Sequence, residues 1–270
     1  MRVALVQVAS PPEEAPAERR ERVGAMVAQA RGADLVVLPE LWAAGYFAFD
    51  RYDERSEPLD GPTVTAAGAW ARELDAYVHA GSIVERDGAG RLFNTAVLVA
   101  PDGRIVHTYR KVHVFGYASR EAELLTPGDA LEVCATPFGP LGATTCYDLR
   151  FPELWRDLVD RGATTVVVPA AWPEARRDHW RLFTACRAVE EQVVLIACNA
   201  VGVQHGGAVL GGYSRVVDPW GTVLVEAGTA EGVTFCDIDP AVVAKVRAEF
   251  PVLDDRRWPA AAHSTQRRTS

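Results

Sequence analysis

The strongest constraint on this chain is that it repeats itself. "RGADLVVLPELW" (31–42) and "RGATTVVVPAAW" (161–172) share Arg, Gly, Ala, two Val, Pro and Trp at matching positions. Each copy reads as a glycine-terminated helix end, a buried β-branched strand and a proline turn closed by tryptophan. A fold for this chain must therefore hold two related halves, each with a sheet and outer helices. The repeat also isolates one residue. The second copy has Ala170 where the first has Glu40, so the turn needs no carboxylate and Glu40 calls for another explanation.

Around the two copies, strand and helix signals alternate without a low-complexity linker. "RVALVQVA" (2–9) is an apolar strand, and residues 15–31 carry a charged helical pattern ending at Gly32. Residues 63–78 place apolar side chains at helical spacing, and "HAGSIVER", "RLFNTAVLVA" and "GRIVHTYRK" follow as strands. The last two are joined by the "PDG" turn at 101–103. In the second half "LGATTCYD" reads as a strand and "PELWRDLVDRG" as a helix. "DHWRLFTACRAVEEQ" reads as a helix with its apolar face at 180, 183, 186 and 189. "VVLIACNAVG" is a buried strand, "GYSRVVDPWGTVLVEAG" a hairpin, and "GVTFCDID" a strand before a last helix at 240–249. The expected class is α/β (α+β), two sheets face to face with helices on both outer faces. Residues 1–253 are expected to form one domain, and 254–270 a polar surface arm anchored by Trp258 and laid over a partner subunit.

Composition narrows the partners. A net charge of −8 argues against nucleic acid or an anionic membrane. The opening "MRVALVQVASPPEE" has too short an apolar core for a signal peptide, and no run is long enough to span a bilayer. Five cysteines without a CxxC pair argue against a disulfide framework or structural zinc, so a cytoplasmic, reducing setting is expected. The six histidines are dispersed, so no metal is expected, and no strand leads into a phosphate-binding glycine loop.

Of 28 basic residues only Lys111 and Lys245 are lysines, which raises the question of what only an ammonium can do. Lys111, Glu40 and Cys146 each follow a strand-like run, where open α/β sheets gather their sites. A thiol, a carboxylate and an amine together make a nucleophile, a general base and a cation for an oxyanion. Cys134, Cys186, Cys198 and Cys236 lie in apolar or helical-face contexts that suit inert packing. Cys146 differs because "RFPEL" behind it opens a helix, whose free N–H groups would depress a thiol pKa. Asp148 and Arg150 are expected to pair and fix the cysteine turn, and His113 to pack.

Glu40 in "VVLPELWAAGY", Lys111 in "YRKVHVFG" and Cys146 in "TCYDLRFPEL" together resemble the nitrilase superfamily of carbon–nitrogen hydrolases. "RLFNTAVLVAPDG", "LLTPGD", "DHWRLFTACRAVEEQ" and "GYSRVVDPWG" extend the likeness over about residues 2 to 240. The resemblance implies a four-layer α-β-β-α sandwich that assembles as a homodimer or larger homo-oligomer. It implies Cys146 as nucleophile, Glu40 as general base, and Lys111 with the Tyr147 backbone N–H as oxyanion donors. Glu121 would orient Lys111, although Glu123 stands close enough to compete for that role. "CYDLRFPEL" is similar to the small-amidase branch, including ω-amidases, which implies cleavage of a small, acidic carboxamide without a cofactor. Nitriles or N-carbamoyl compounds are the alternative substrates. Tyr46, Trp172 and Arg176 are candidate substrate contacts, because each follows a strand end or lies in the loop beyond it. Arg176 and Arg177 read slightly better as solvated loop charges.

Overall fold

The computed structural model describes residues 1–257, so the anchor expected at Trp258 lies outside the described residues. The first half runs β1 (Arg2–Gln7), α1 (Pro16–Val27), β2 (Leu35–Val37), α2 (Tyr52–Arg55), α3 (Pro62–Leu74), β3 (Tyr77–Arg86), β4 (Leu92–Val99) and β5 (Ile105–Arg110). A short helix, α4 (Glu121–Leu124), leads into β6 (Val133–Thr136), β7 (Gly139–Ala143), α5 (Pro152–Asp160), β8 (Thr165–Ala170), α6 (Arg177–Glu191) and β9 (Val194–Asn199). Two small strands, β10 (Val201–Val203) and β11 (Val209–Gly211), precede β12 (Arg215–Val217), β13 (Val223–Glu226), β14 (Gly232–Asp237) and α7 (Val242–Glu249).

Two six-stranded sheets result, ordered β14-β1-β2-β3-β4-β5 and β13-β12-β9-β8-β7-β6. Read from opposite ends they are the same sheet. Three central parallel strands (β1, β2, β3 and β7, β8, β9) are each flanked by antiparallel neighbours. The recurring sequence occupies equivalent places, with β2 and β8 at the centres and Gly32 and Gly162 both left-handed at φ 86° and 95°.

Alternation explains why these strands are apolar on both faces. Val3, Leu5, Leu35 and Val37 meet Leu141, Val167, Val194 and Ile196 between the sheets. Their neighbours Ala4, Val6 and Val36 pack under α1 and α3, and Val166, Val168 and Leu195 pack under α5 and α6. Strands covered on both sides must bury every side chain, hence runs such as "LVV" and "TVVVPA". The layers are α-β-β-α, as expected. No helix among the described residues is long and apolar enough to cross a membrane.

Three local expectations fail. The helix over 63–78 stops at Leu74, with Asp75 left-handed at φ 50°, because Tyr77 and Val78 are drawn into parallel pairing with Leu35 and Val36. The strand expected through Asp148 ends its pairing at Ala143, and Cys146–Arg150 form a 3-10 turn. In α6 the buried face is Trp180, Thr184, Arg187, Ala188 and Glu191, whereas Cys186 and Val189 are exposed. Arg187 turns inward to donate to Leu149 O at 3.1 Å, and Glu191 to meet Arg156 at 3.1 Å, so polar residues occupy positions that periodicity assigns to the surface.

Candidate active site

The seam between the halves, at the carboxyl ends of the central strands, gathers the predicted residues. Glu40 sits on the turn after β2, and a kink in β3 grips that turn. Gly81 is left-handed at φ 69° within a register shift between His79 and Ser82. Leu38 N donates to His79 O at 3.0 Å and Leu41 N to Ser82 Oγ at 3.0 Å. From the other half, Ala171 N donates to Glu40 Oε2 at 2.9 Å. The second copy of the repeat thus holds the acid that only the first copy carries.

Lys111 directly follows β5 and is fully enclosed. Its ammonium donates to Glu40 Oε1 at 2.8 Å and to Glu121 Oε1 and Oε2 at 2.9 and 3.0 Å. Of the two candidate acids, Glu121 is the one that meets Lys111. Glu123 instead faces outward and pairs with Arg120 at 3.2 Å. Tyr46 Oη and Phe115 N also donate to Glu121 Oε2, at 2.8 and 2.9 Å. Asn94, on β4, donates from one amide to Glu40 Oε1 at 2.8 Å and to Glu121 Oε1 at 3.0 Å. Sequence reasoning missed Asn94, although it lies in the quoted "RLFNTAV" as a polar residue in an otherwise buried strand.

Cys146 opens the 3-10 turn with φ 47°, a left-handed conformation that a β-carbon disfavours. Asp148 fixes this corner. Its carboxylate accepts from Thr145 N at 2.9 Å, Tyr109 Oη at 2.8 Å and His113 N at 3.0 Å, and contacts His113 Nδ1 at 2.8 Å. The expected Asp148–Arg150 pair does not form, because Asp148 is spent on the loop that follows Lys111. His113 packs as expected, stacked on Phe151 at 3.7 Å. Tyr147 occupies the second position of the turn, where a backbone N–H has no acceptor within the turn.

The electrostatics correct one expectation. The α5 N-terminus begins at Pro152, beyond the 3-10 turn, and the thiol is not depressed. Burial pushes the Cys146 thiol well up, Glu40 raises it further, and Lys111 and the Ala171 N–H oppose. Burial likewise raises Glu40 against the pull of Lys111. For Lys111 burial alone would lower the pKa, but Glu121 and Glu40 more than offset it and hold the ammonium charged. The resting site therefore keeps its thiol protonated, facing a carboxyl group of raised basicity.

Above the sulfur lies a narrow cleft of about 30 Å³ walled by Tyr46, Phe115, Tyr147, Trp172, Arg150 and Arg176. Trp172 is held by Nε1–H donation to Arg176 O at 2.8 Å. Arg176 faces the cleft against Phe115, 5.7 Å from its ring, rather than bulk solvent. Arg177 is the loop charge, paired with Glu174 and Asp178. Arg150, expected to be structural, lies 4.9 Å over Trp172 and 5.0 Å over Phe183 and also lines the cleft. Burial and the neighbouring Arg176 both lower its pKa.

A family model described as carbon-nitrogen hydrolase matches residues 2–248. The 2-oxoglutaramate amidase of Paenarthrobacter nicotinovorans is 37% identical over 94% of this chain and 89% of its own. Human omega-amidase NIT2 is 35% identical over 85% of each chain. Among solved structures, a CN-hydrolase superfamily protein from Xanthomonas campestris, carrying an arsenic adduct in its active site, superposes with a TM-score of 0.88. It is 31% identical and covers 96% of this chain and 98% of its own. An amidase from Nesterenkonia sp. AN1, with acrylamide added at its active-site cysteine, superposes at 0.79. It is 27% identical and covers 94% of this chain and 99% of its own.

Proposed function

The chain belongs to the carbon–nitrogen hydrolase family and is a cysteine-dependent amidase of small molecules, and from that premise we propose how its residues divide the work. Cys146 attacks the carboxamide carbon while its thiol proton passes to Glu40. The C=O π electrons move to oxygen, and Lys111 Nζ and the Tyr147 N–H receive the oxyanion. The oxyanion collapses, Glu40 returns the proton to nitrogen, and ammonia leaves behind a thioester. A water then gives its proton to Glu40 and attacks the same carbon. A second collapse expels the thiolate, which is reprotonated, and releases the carboxylic acid as its anion.

The observation that carries this reading is the position of Lys111. All three of its N–H donors are spent on two carboxylates beside the thiol, and Glu121 takes two of those contacts. Releasing one contact from Glu121 frees a donor for the oxyanion without stripping the ammonium of its partners. Glu121 and Asn94 thus act as positioning residues and Glu40 as the proton carrier.

The substrate we propose is the ω-amide of a short 2-oxo dicarboxylic acid. The names of the amidase relatives support it, and so do Arg150 and Arg176, which face the cleft and could hold a distal carboxylate. Ammonia release from 2-oxoglutaramate, from nitriles and from N-carbamoyl compounds tests the choice, with Cys146→Ala as the blank. The 2-oxo amide is expected to be the fastest of the three, and Cys146→Ala to lose at least about a thousandfold in kcat/KM. A nitrile turned over faster than every amide would overturn the substrate assignment.

Two further parts of the proposal concern setting and assembly. Five unpaired thiols support a reducing, cytoplasmic location. The outer face of α6 exposes Leu182 and Val189 beside a stacked Trp220–Phe250 pair, which supports a homodimer through that face. Residues 1–253 are taken as the catalytic unit, since Leu253 still packs on the second-half core. The described start of the expected 254–270 arm turns back on this chain, with Arg256 paired to Asp160, and residues 258–270 lie outside the described residues.

A further inference from the structure

A second group of arginines lies behind the turn that carries Tyr46. Arg19, Arg51, Arg55 and His205 surround a cavity of about 80 Å³ that shares no lining residue with the cleft over Cys146 and has no acidic lining residue. In a chain of net charge −8 this concentration of positive charge is not a by-product of a basic surface.

The arginines differ in how far their donors are used. Arg19 is saturated. Its Nε donates to Glu14, its Nη1 to the carbonyls of Trp42 and Ala43, and its Nη2 to those of Pro11 and Glu14. It fixes the turn and contributes charge, but offers no free N–H. Arg55 donates only from Nη1, to Ala44 O at 2.5 Å, and its Nε is buried without an acceptor. Glu54, the acid next to it in sequence, pairs with Arg51 instead. Burial and then Arg51 lower the pKa of Arg55, and the charge of Arg55 bears on Arg19 in turn. Like charges gathered in a partly desolvated cavity repel one another, and a bound anion converts that repulsion into attraction.

We propose that this cavity binds a phosphate-type oxyanion, either inorganic phosphate or the phosphate of a small phosphomonoester, through Arg55 and Arg51. Guanidinium groups suit a tetrahedral oxyanion because each can donate more than one N–H to its oxygens, and Arg51, Arg55 and His205 all line this cavity. Gly45, left-handed at φ 81°, lines the cavity beside both arginines, and a β-carbon there would lie 3.4 Å from Arg19 Nη1 and 3.7 Å from Arg55 Nη1. The next residue is Tyr46, whose hydroxyl donates to Glu121. An anion held here braces, from behind, the turn that supports the carboxylate beside Lys111.

Isothermal titration calorimetry of the intact chain with inorganic phosphate at constant ionic strength tests the site, and its readout does not depend on the amidase reading. One saturable site per chain is expected, with a matching rise in Tm. Glycerol 3-phosphate, titrated alone and in competition, separates the two sources. Displacement assigns both anions to the cavity, and binding of either one alone assigns the cavity to that form. Arg55→Gln is expected to weaken binding about tenfold. Arg51→Glu, on an exposed side chain that leaves the core untouched, is expected to weaken it at least as much, while Arg176→Gln leaves it unchanged. No saturable heat with either anion would overturn the proposal. So would binding lost in Arg176→Gln and kept in Arg51→Glu, because the anion would then sit over Cys146.

Discussion

Lys111 shows at the residue scale how much chemistry a sequence can reveal and where it stops. The scarcity of lysine singled it out, and the structure places it between Glu40 and Glu121, yet the same scarcity also pointed to Lys245, which is an exposed partner of Asp239. Burial separates the two, and no count of residues reports burial. Glu40 was legible because a repeat supplied its own control at Ala170. Asn94 and Arg150 were not, because an amide in a strand and an arginine in a turn look ordinary until distant segments face them. Lys111→Arg is expected to cut kcat by about a hundredfold or more, since a planar guanidinium cannot sit between two carboxylates in a fully enclosed space. Single-turnover acylation measures this directly. Asn94→Leu, by contrast, should lower kcat with little change in KM and shift the pH profile, because it acts on the two carboxylates rather than on substrate.

At the scale of elements, β3 carries both a device and a weakness. A β-carbon on Gly81 would meet Pro39 O at 1.9 Å. Gly81→Ala must therefore push away the turn that holds Glu40, at an expected cost of about 2–4 kcal/mol in urea unfolding and most of the activity. The weakness is His79, buried between the sheets with neither ring nitrogen bonded and with His107 two strands away in register. Burial first, and then His107, pull its pKa from 6.5 to about 3. The folded pKa lies below the unfolded one, so the unfolded chain binds the extra proton. Stability is then full above 6.5 and falls as pH drops from there toward 3, by up to about 1.4 kcal/mol per unit. His79→Leu should flatten that acid limb, read as urea midpoints at about pH 7 and about pH 5. The strands themselves were legible from their β-branched runs. The inward side of α6 was not, since tertiary partners for Arg187 and Glu191 reversed what periodicity implied.

For the whole molecule, the repeat announced two halves and the mixed hairpins their face-to-face packing, while only the structure shows the second turn's amide holding the first turn's acid across the seam. Glu40, Lys111 and Glu121 come from one side of the seam, and Cys146 and the Ala171 N–H from the other. The same scale sets the assembly prediction. Leu182→Asp, on a side chain 63% exposed and outside the cleft lining, should convert the proposed dimer to monomer in light scattering without altering the fold. A wild-type chain that stays monomeric at micromolar concentration would remove the interface.

The equivalence of the two strand-ending turns also has a sequel. Where the first turn presents a carboxylate, the second presents the bare amide of Ala171 to receive it, while the matching amide of Leu41 is already committed to Ser82. The halves have kept a common outline and surrendered their interchangeability, one specialising as guest and the other as host. A molecule built of two similar halves thus has a single working mouth, and a glutamate placed at position 170 would find no vacant counterpart waiting for it.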